Sequence, residues 1–353
     1  MVDYWQVGSG SGDRDYSEEC IDLGMAFVGG DKDPMRDVDE GDVIVLRRGI
    51  NQIIAVGEVV EHPTEKQVKG SHDIEWLRDF VGWDLPNYCY VKWYEAPEDL
   101  SQVKGLVPRS LARIKEREIK ERADEILALG NPPVGEPGKD VNEPEEIEFD
   151  EIQSYLISEG LENNFAGDFV NRLTQIQGVA NQYYDSGYKN WPDVQEDEVR
   201  AFLVVPLLKA LGWDERRIRL KLTPSKLGIK SGKRIDIACF SSPYEAGEKD
   251  SNRENCAFLI EVKRFTSGVT TDAPDQVKKY AEGISGCRMV MVSNGYCYKA
   301  FIREDDESFS EIPAAYLNIR KPSRNFPLNE DIKGGLELLR LMLPQTWQRE
   351  RRP

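Results

Sequence analysis

The sequence predicts a two-domain protein that joins an α+β part to an α/β part, and three observations support this fold class. The chain has 353 residues, a length that two domains of ordinary size would fill. Hydrophobic residues make up 40% of it, enough for packed cores. An acidic, proline- and glycine-rich linker, residues 130–150, separates a segment dominated by strand patterns (1–129) from one in which strand and helix patterns alternate (151–353).

The first segment contains two β-branched runs, Asp42–Arg47 and Ile53–Val60, with a glycine between them, which predicts a β-hairpin. Asn87–Tyr94 has the aromatic and β-branched composition of a third strand. Leu106–Leu129 is rich in glutamate and arginine at i,i+4 spacing, which predicts a helix. Together these elements predict a small, curved β-barrel closed by helices.

The second segment alternates between the two patterns. Apolar periodicity predicts helices at Glu196–Leu211 and Asp275–Ile284. Short apolar runs predict strands at Ile235–Phe240, Ala257–Val262 and Met289–Ser293. This order predicts a mixed sheet flanked by helices.

Composition excludes several classes of protein. Only two histidines are present, His62 and His72, so catalysis by multi-histidine metal sites is excluded. No GxxxxGK[ST] motif occurs, so an NTP-driven activity would need a separate partner. No apolar run reaches the length of a membrane span, and the first residues lack a secretion pattern. The six cysteines show no CxxC spacing, and we expect a reducing, cytoplasmic setting.

The charge of the chain is unevenly distributed. The net charge of −17 argues against a uniformly DNA-coating surface, and residues 136–151 alone carry −7. Residues 216–234, by contrast, carry eight basic side chains and no acid. A solvated surface of mixed charge would explain such a run, and so would a stripe that follows a DNA backbone. The candidate backbone contacts are Arg216, Arg217, Arg219 and Lys221.

An acidic constellation is the strongest signal for chemistry. Asp236 lies in one apolar run, and Glu261 and Lys263 lie in another that begins about 20 residues later. Strand alternation places Glu261 and Lys263 on one face and points Val262 to the core. An aspartate and a glutamate on adjacent strands can hold Mg²⁺, and a lysine beside them can orient or deprotonate water. An ordinary edge-strand salt bridge is the structural alternative.

Polar residues on two predicted helices extend this constellation. Glu196 falls within the apolar stripe of Glu196–Leu211, whereas Glu198 points away from it, so Glu196 is the better candidate. Gln276 and Tyr280 are four residues apart and therefore share one helix face. An ordinary amphipathic helix would also explain that spacing.

These motifs together resemble the PD-(D/E)xK nuclease superfamily, in particular the nuclease domain of type I restriction motor subunits and the RecB-like branch. The resemblance covers residues 190–305. The elements that carry it, in order, are Glu196-x-x-x-Arg200, Pro206–Trp213, the Asp236 strand, Glu261-x-Lys263, Gln276-x-x-x-Tyr280 and Ser293–Gly295. One departure is the long spacing between Asp236 and Glu261, which a hydrophilic insertion at residues 241–255 explains.

The resemblance implies an endonuclease fold and a set of site residues. It implies that Mg²⁺ is the cofactor and that Mn²⁺ can substitute for it. The implied roles are metal binding by Glu196, Asp236 and Glu261, water activation by Lys263, and placement of DNA by Gln276 and Tyr280.

The first segment is rich in aromatic residues and carries four of the seven tryptophans. Most aromatic side chains in so small a domain would fill its core, but such a set would also suit a pocket that stacks a flipped base. The motifs DYWQVGSGSG, GDVIVLRRG, AVGEVVE and YVKWYE resemble the EVE branch of the PUA-like domains. That resemblance implies recognition of a modified base, for which the candidates are Trp5, Trp76 and Trp83.

The two resemblances together imply a modification-dependent restriction endonuclease acting on double-stranded DNA. We expect a homodimer, at least on DNA, because one active centre cuts one strand. One alternative is an antiviral or repair nuclease whose PUA-like domain senses RNA or a nucleotide. Another is a non-catalytic nucleic-acid binder, which the presence of Asp236, Glu261 and Lys263 disfavours.

Overall fold

The computed structural model divides into two compact units, Met1–Glu143 and Pro144–Pro353. It describes residues 2–11, 14–15, 17–28, 35–71, 87–138, 144–185, 194–230, 233–265, 269, 272–304, 308–326 and 329–349. Within these ranges, no helix combines the length and the apolar character that crossing a membrane requires.

The first unit is a curled half-barrel sheet, and its described residues also form short helices. Its strands are β1 (Tyr4–Gly8), β2 (Gly10–Ser11), β3 (Arg14–Asp15), β4 (Met25–Val28), β5 (Val43–Arg48), β6 (Gln52–Val59), β7 (Lys69–Ser71), β8 (Asn87–Glu95) and β9 (Leu111–Arg113). Its helices are α1 (Ser17–Asp22), α2 (Glu98–Ser101) and α3 (Arg117–Ala128). The strand order is β4-β8-β6-β5-β1-β9, β7 pairs with β8, and β2 and β3 form a separate hairpin.

The hairpin β5–β6 and the strand β8 confirm the three strands that the sequence predicts in this unit. The helix predicted at Leu106–Leu129 is wrong over its first part, because Leu111–Arg113 instead pairs antiparallel with β1. The helical part, α3, packs its apolar face into the core through Ile119, Ala123 and Ile126.

The segment interpreted as a linker, residues 130–150, makes ordered contacts at both of its ends. On the first unit, the Val134 amide donates a hydrogen bond to the Trp93 carbonyl at 2.9 Å. On the second unit, the Ile147 amide donates to the Pro322 carbonyl at 2.8 Å. The boundary between the compact units lies after Glu143, within this segment.

The second unit is a six-stranded mixed sheet with helices. Its strands are β10 (Ile218–Leu222), β11 (Ile235–Phe240), β12 (Cys256–Val262), β13 (Met289–Ser293), β14 (Cys297–Ile302) and β15 (Ala315–Asn318). Its helices are α4 (Phe149–Ser158), α5 (Asn163–Asp185), α6 (Glu196–Val199), α7 (Val205–Ala210), α8 (Lys249–Asn255), α9 (Asp272–Ala281), α10 (Gly335–Met342) and α11 (Pro344–Arg349).

The sheet follows sequence order from β10 to β15, with β12 and β13 parallel and the other neighbours antiparallel. The strands predicted in this unit are confirmed, and the overall class is mixed α+β. The predicted helix Glu196–Leu211 is continuous but contains a π-helical turn, Arg200–Val204, between α6 and α7. This turn directly precedes the first turn of α7, where Pro206 supplies no backbone N–H for an α-helical bond.

Candidate functional site

Three neighbouring strands deliver charged side chains to one end of the mixed sheet. Asp236 is the second residue of β11, and Glu261 is the second from the end of β12. The antiparallel register pairs Ile237 with Ile260, which sets Asp236 beside Glu261 as a cross-strand neighbour. Lys221, near the end of β10, reaches the same place from the other side of β11.

Asp236 is buried, and both of its carboxylate oxygens contact positive or polar groups. Its Oδ1 lies 3.0 Å from Nη2 of Arg200 and 2.7 Å from Nζ of Lys221. Its Oδ2 accepts a hydrogen bond from the Val262 amide at 2.9 Å. Charge-assisted bonds of this kind are the strong ones in proteins, and they hold the carboxylate in one orientation. Arg200 also donates to Asp197, so the guanidinium bridges an exposed and a buried carboxylate.

Glu261 is buried beside Asp236 and receives two donors on one oxygen. Its Oε1 accepts hydrogen bonds from Nζ of Lys263 at 3.2 Å and from Nε2 of Gln276 at 2.6 Å. Burial raises its pKa to about 7, the negative charge of Asp236 adds to that rise, and Lys263 opposes it. The field of Glu196 raises this pKa further. Burial thus disfavours the charged form of this carboxyl, and the neighbouring acids add to that cost.

The first turn of α6 separates the two candidate glutamates. Glu198 Oε2 accepts a hydrogen bond from the Gln195 amide at 2.8 Å, so this side chain caps the helix. Glu196 is half-buried, and its charge acts on Glu261. Asp197 is exposed, and the hydrogen bond from Arg200 holds its pKa below the ordinary value. Of the two candidate glutamates, Glu196 is the one whose charge raises the pKa of Glu261.

The helix α9 supplies the amide and the phenol that the sequence places on one face. Gln276 donates to Glu261, and its Oε1 accepts a hydrogen bond from Nζ of Lys233 at 3.3 Å. Tyr280, one turn later, is buried, and burial together with the charge of Glu261 raises its pKa. Both side chains therefore belong to the same cluster as the two carboxylates.

The donor chemistry of the cluster fits a divalent cation. Among the residues that the structure describes, no three acidic, histidine or cysteine side chains converge as a metal site requires. Asp236 and Glu261 are nonetheless adjacent carboxylates, the ligand type that Mg²⁺ prefers. The negative charges of Asp236 and Glu196 both raise the pKa of Glu261, in addition to the larger effect of burial, and a bound cation would offset their repulsion. In this conformation two protein cations, Arg200 and Lys221, occupy Oδ1 of Asp236.

The other basic residues proposed to follow DNA lie along and before β10. Arg216 and Arg217 pair with Asp214, with Nε to carboxylate oxygen distances of 3.4 and 3.5 Å. The guanidinium of Arg219 lies over the Tyr244 ring, 4.6 Å from its centre. The fourth residue, Lys221, contacts the buried Asp236 instead. The four side chains are therefore divided between the surface and the site.

The proposed base-stacking tryptophans are only partly described. Trp5 is buried in β1, and its indole N–H donates to Oδ2 of Asp42 at 2.9 Å. The guanidinium of Arg113 lies over its ring, and both border a cavity of about 550 Å³ in the first unit. Trp76 and Trp83 lie outside the described residues.

Two side chains of the site carry roles that the sequence patterns missed. Arg200 belongs to the Glu196-x-x-x-Arg200 motif, yet periodicity gives no reason for its burial against Asp236. Lys221 looks like one member of a basic run, yet its ammonium contacts the same carboxylate. The available signal was the i,i+3 spacing of Asp197 and Arg200, which is typical of a helical ion pair.

Comparison with known proteins places this cluster in a family context. Residues 195–315 match the family model described as the N terminus of the type I restriction enzyme R protein. The matched segment lies within the second unit and contains the residues of the acidic cluster, namely Glu196, Arg200, Lys221, Asp236, Glu261, Lys263, Gln276 and Tyr280. No curated protein and no solved structure matches the chain. The match links this part of the chain to restriction systems.

The shifted pKa of Glu261 predicts a pH-dependent stability. Its folded-state pKa is about 7, against an ordinary 4.5, so the folded state retains a proton that the unfolded state loses. The stability that this proton contributes is fully present below pH 4.5, the ordinary pKa. It is lost as the pH rises through about 7, the folded-state pKa. The loss is at most about 3 kcal/mol, because one pKa unit corresponds to about 1.4 kcal/mol. Glu261→Gln should therefore gain stability relative to the wild type between pH 5 and pH 8.

Urea unfolding at the two pH values, in the presence of a chelator, measures this change. Glu162→Gln removes an exposed glutamate of the same unit and controls for the loss of one charge. Parallel pH profiles for the wild type and Glu261→Gln would show that the burial of this carboxyl has no energetic consequence.

Proposed function

We propose that the protein is a modification-dependent DNA restriction endonuclease. In this proposal the second unit hydrolyses DNA phosphodiesters and the first recognises a modified base. One observation carries the proposal: Asp236, Glu261 and Lys263 form a single buried cluster inside the segment that matches a restriction-enzyme family. Buried carboxylates beside a lysine are costly unless they are paired or functional, which supports a chemical role.

Lys263 is the residue that we assign to the attacking water. Its Nζ is almost buried and lies 3.2 Å from Oε1 of Glu261, while its amide donates to the Ser293 carbonyl at 2.8 Å. The anchored backbone and the ion pair leave the ammonium little freedom. Held in this way, it can orient or deprotonate a water molecule and stabilise the negative charge that develops on the phosphate.

Asp236 and Glu261 are the residues that would hold Mg²⁺ or Mn²⁺. Glu196 from α6 would join them as a third ligand only after its side chain moves toward them, because no three such groups converge among the described residues. When bound, such an ion neutralises the paired carboxylates and polarises a phosphate oxygen. Gln276 orients Glu261 through its 2.6 Å hydrogen bond and, with Tyr280, faces the place that a DNA strand would occupy.

The basic segment, residues 216–234, provides the contacts to the DNA backbone in this proposal. Arg216 and Arg219 carry exposed or partly exposed guanidinium groups, and Lys226, Lys230 and Arg234 are exposed as well. Such side chains neutralise phosphates without reading sequence. They would therefore hold DNA over the cluster, whatever the sequence of the bound DNA.

The base-reading role belongs to the first unit and rests on its aromatic composition. Trp5 borders a cavity that is also lined by Arg109, Arg113 and Lys115, a combination of π-surface and positive charge that suits a nucleotide. Trp76 and Trp83 are assigned to the same task from the sequence. We further propose a cytoplasmic protein that forms a homodimer on double-stranded DNA, because two centres are needed to cut both strands.

Cleavage of matched DNA substrates tests the proposed function. The full-length protein is incubated with Mg²⁺ and duplexes that carry 5-methylcytosine, 5-hydroxymethylcytosine, glucosylated cytosine, N6-methyladenine or no modification. We expect Mg²⁺-dependent cutting of at least one modified duplex and little cutting of the unmodified one. Equal cutting of all duplexes would remove the modification dependence. Absence of cutting throughout, with cutting of RNA instead, would favour an RNA-directed nuclease.

A further inference from the structure

The edge strand β10 departs from regular strand geometry at one residue, Lys221. Leu220 pairs with Ile237 and Leu222 with Ile235, but Lys221 is left out of the ladder. Its φ is 49°, in the left-handed region that residues other than glycine rarely adopt. Such a conformation persists only when surrounding contacts hold it, and it occurs often at functional sites. Its ammonium contacts Asp236, a contact that can hold it there.

The two cations on Asp236 differ in their freedom to leave. The Arg200 side chain is 5% exposed, and its two terminal nitrogens are bonded to different carboxylates, Nη1 to Asp197 and Nη2 to Asp236. The Lys221 side chain is 37% exposed, and its Nζ also lies 4.0 Å from the exposed Asp197 carboxylate. Removing Arg200 from Asp236 would strand a charge in the interior, whereas Lys221 can turn to solvent. Lys221 is therefore the exchangeable one of the two.

The surroundings of Lys221 supply a competing partner for its ammonium. Residues 216–234 contain eight basic side chains and no acid, and Lys221 is one of them. A polyanion attracted by this segment would bring phosphate oxygens to Lys221 at its solvent-exposed side. A lysine ammonium is a compact charge on a flexible stem and pairs readily with phosphate. The same side chain can thus neutralise either Asp236 or a bound phosphate, but not both fully.

We propose that Lys221 is an exchangeable counter-ion of Asp236, which covers Oδ1 in the free protein and moves to a phosphate when DNA binds. This inference rests on the proposed function and assigns its site a control step. DNA would thereby uncover the carboxylate for a divalent cation. Cation binding and DNA binding then favour each other, and by thermodynamic linkage each ligand strengthens the other by the same factor.

Two binding measurements on the full-length protein test this proposal without using cleavage. Calorimetric titration with Ca²⁺ in the absence of DNA measures the affinity of the site in the free protein, where Lys221 contacts Asp236. Fluorescence anisotropy with a short labelled duplex, with and without Ca²⁺, measures the coupling. In Lys221→Met the competitor is absent, so we expect Ca²⁺ to bind about tenfold more tightly than to the wild type. We also expect Ca²⁺ to strengthen DNA binding about tenfold in the wild type and less than twofold in the variant.

Two further variants separate charge from folding. Lys221→Gly also removes the ammonium, but glycine adopts the positive φ without strain, so it should match Lys221→Met in both measurements. Lys249→Met removes an exposed lysine of the second unit outside residues 216–234 and should leave the Ca²⁺ affinity and the coupling unchanged.

The possible failures are distinguishable. Unchanged or weaker Ca²⁺ binding by both Lys221 variants would show that the lysine positions Asp236, and the proposal would be overturned while the proposed function stood. Absence of Ca²⁺ binding in every protein, with and without DNA, would overturn the proposed function together with this inference.

Discussion

Lys263→Ala should lower the rate of DNA cleavage by about 10²- to 10⁴-fold, the range that general acid–base groups contribute. The ammonium is the only cation bonded to Glu261 among the described residues, and we assign it to the attacking water. The variant should still fold, because Glu261 can take up a proton at neutral pH when its counter-ion is removed, given its pKa of about 7. DNA affinity should change little, since the almost buried side chain is not part of the basic segment.

Single-turnover cleavage with saturating Mg²⁺ measures this loss, and anisotropy with labelled DNA checks binding. Lys249→Ala is the matched control, because Lys249 is an exposed lysine of the same unit that lies outside both the site and residues 216–234. It should retain most of the cleavage rate. Undiminished cutting by Lys263→Ala, with a wild type that EDTA inhibits, would remove the role that we assign to this lysine.

Arg200→Met should destabilise the second unit by about 3–5 kcal/mol, the usual cost of removing one partner of a buried ion pair. Arg200 and Asp236 are both about 5% exposed, and their 3.0 Å contact leaves neither charge access to bulk water. Without the guanidinium, Asp236 retains Lys221 and the Val262 amide as partners. These contacts place the expected loss at the lower end of that range, at about 3 kcal/mol.

The second partner of Arg200 provides the control. Asp197 is 81% exposed, so Asp197→Asn should cost less than about 1 kcal/mol even though it removes a salt bridge to the same guanidinium. Urea unfolding of the full-length chain compares the two variants. Replacing both buried partners, as Arg200→Met with Asp236→Leu, should recover part of the lost stability, because no buried charge then remains without its partner. Equal losses for Arg200→Met and Asp197→Asn would contradict the structural role of the buried pair.

Substitutions at Asp236 would report on the stability of the second unit as well as on cleavage. Asp236→Ala removes the acceptor of Arg200, Lys221 and the Val262 amide together, so it should affect stability as well as cleavage. Lys263→Ala is the cleaner probe of chemistry, since its partner Glu261 tolerates the neutral state.

The sequence by itself predicted the two strands and the two helices that carry the acids, Gln276 and Tyr280, but not β10, which carries Lys221. Short apolar runs located Ile235–Phe240 and Met289–Ser293, because buried strands need continuous apolar faces. An acid within such a run is costly to bury, which drew attention to Asp236 and Glu261 before any geometry was known. The spacing of Gln276 and Tyr280 likewise placed both on one helix face.

Only the tertiary structure shows which cations contact Asp236. Regular alternation gives no hint that Lys221 turns toward Asp236, because the turn depends on a positive φ and a break in the β10 ladder. Helix periodicity does not foresee the π turn that begins at Arg200, where the guanidinium reaches Asp236. The short strand at Leu111–Arg113 was mistaken for helix because its conformation is set by pairing with β1. In each case a contact between residues far apart in the chain outweighed the local conformational preference. Such contacts cannot be predicted from local sequence patterns.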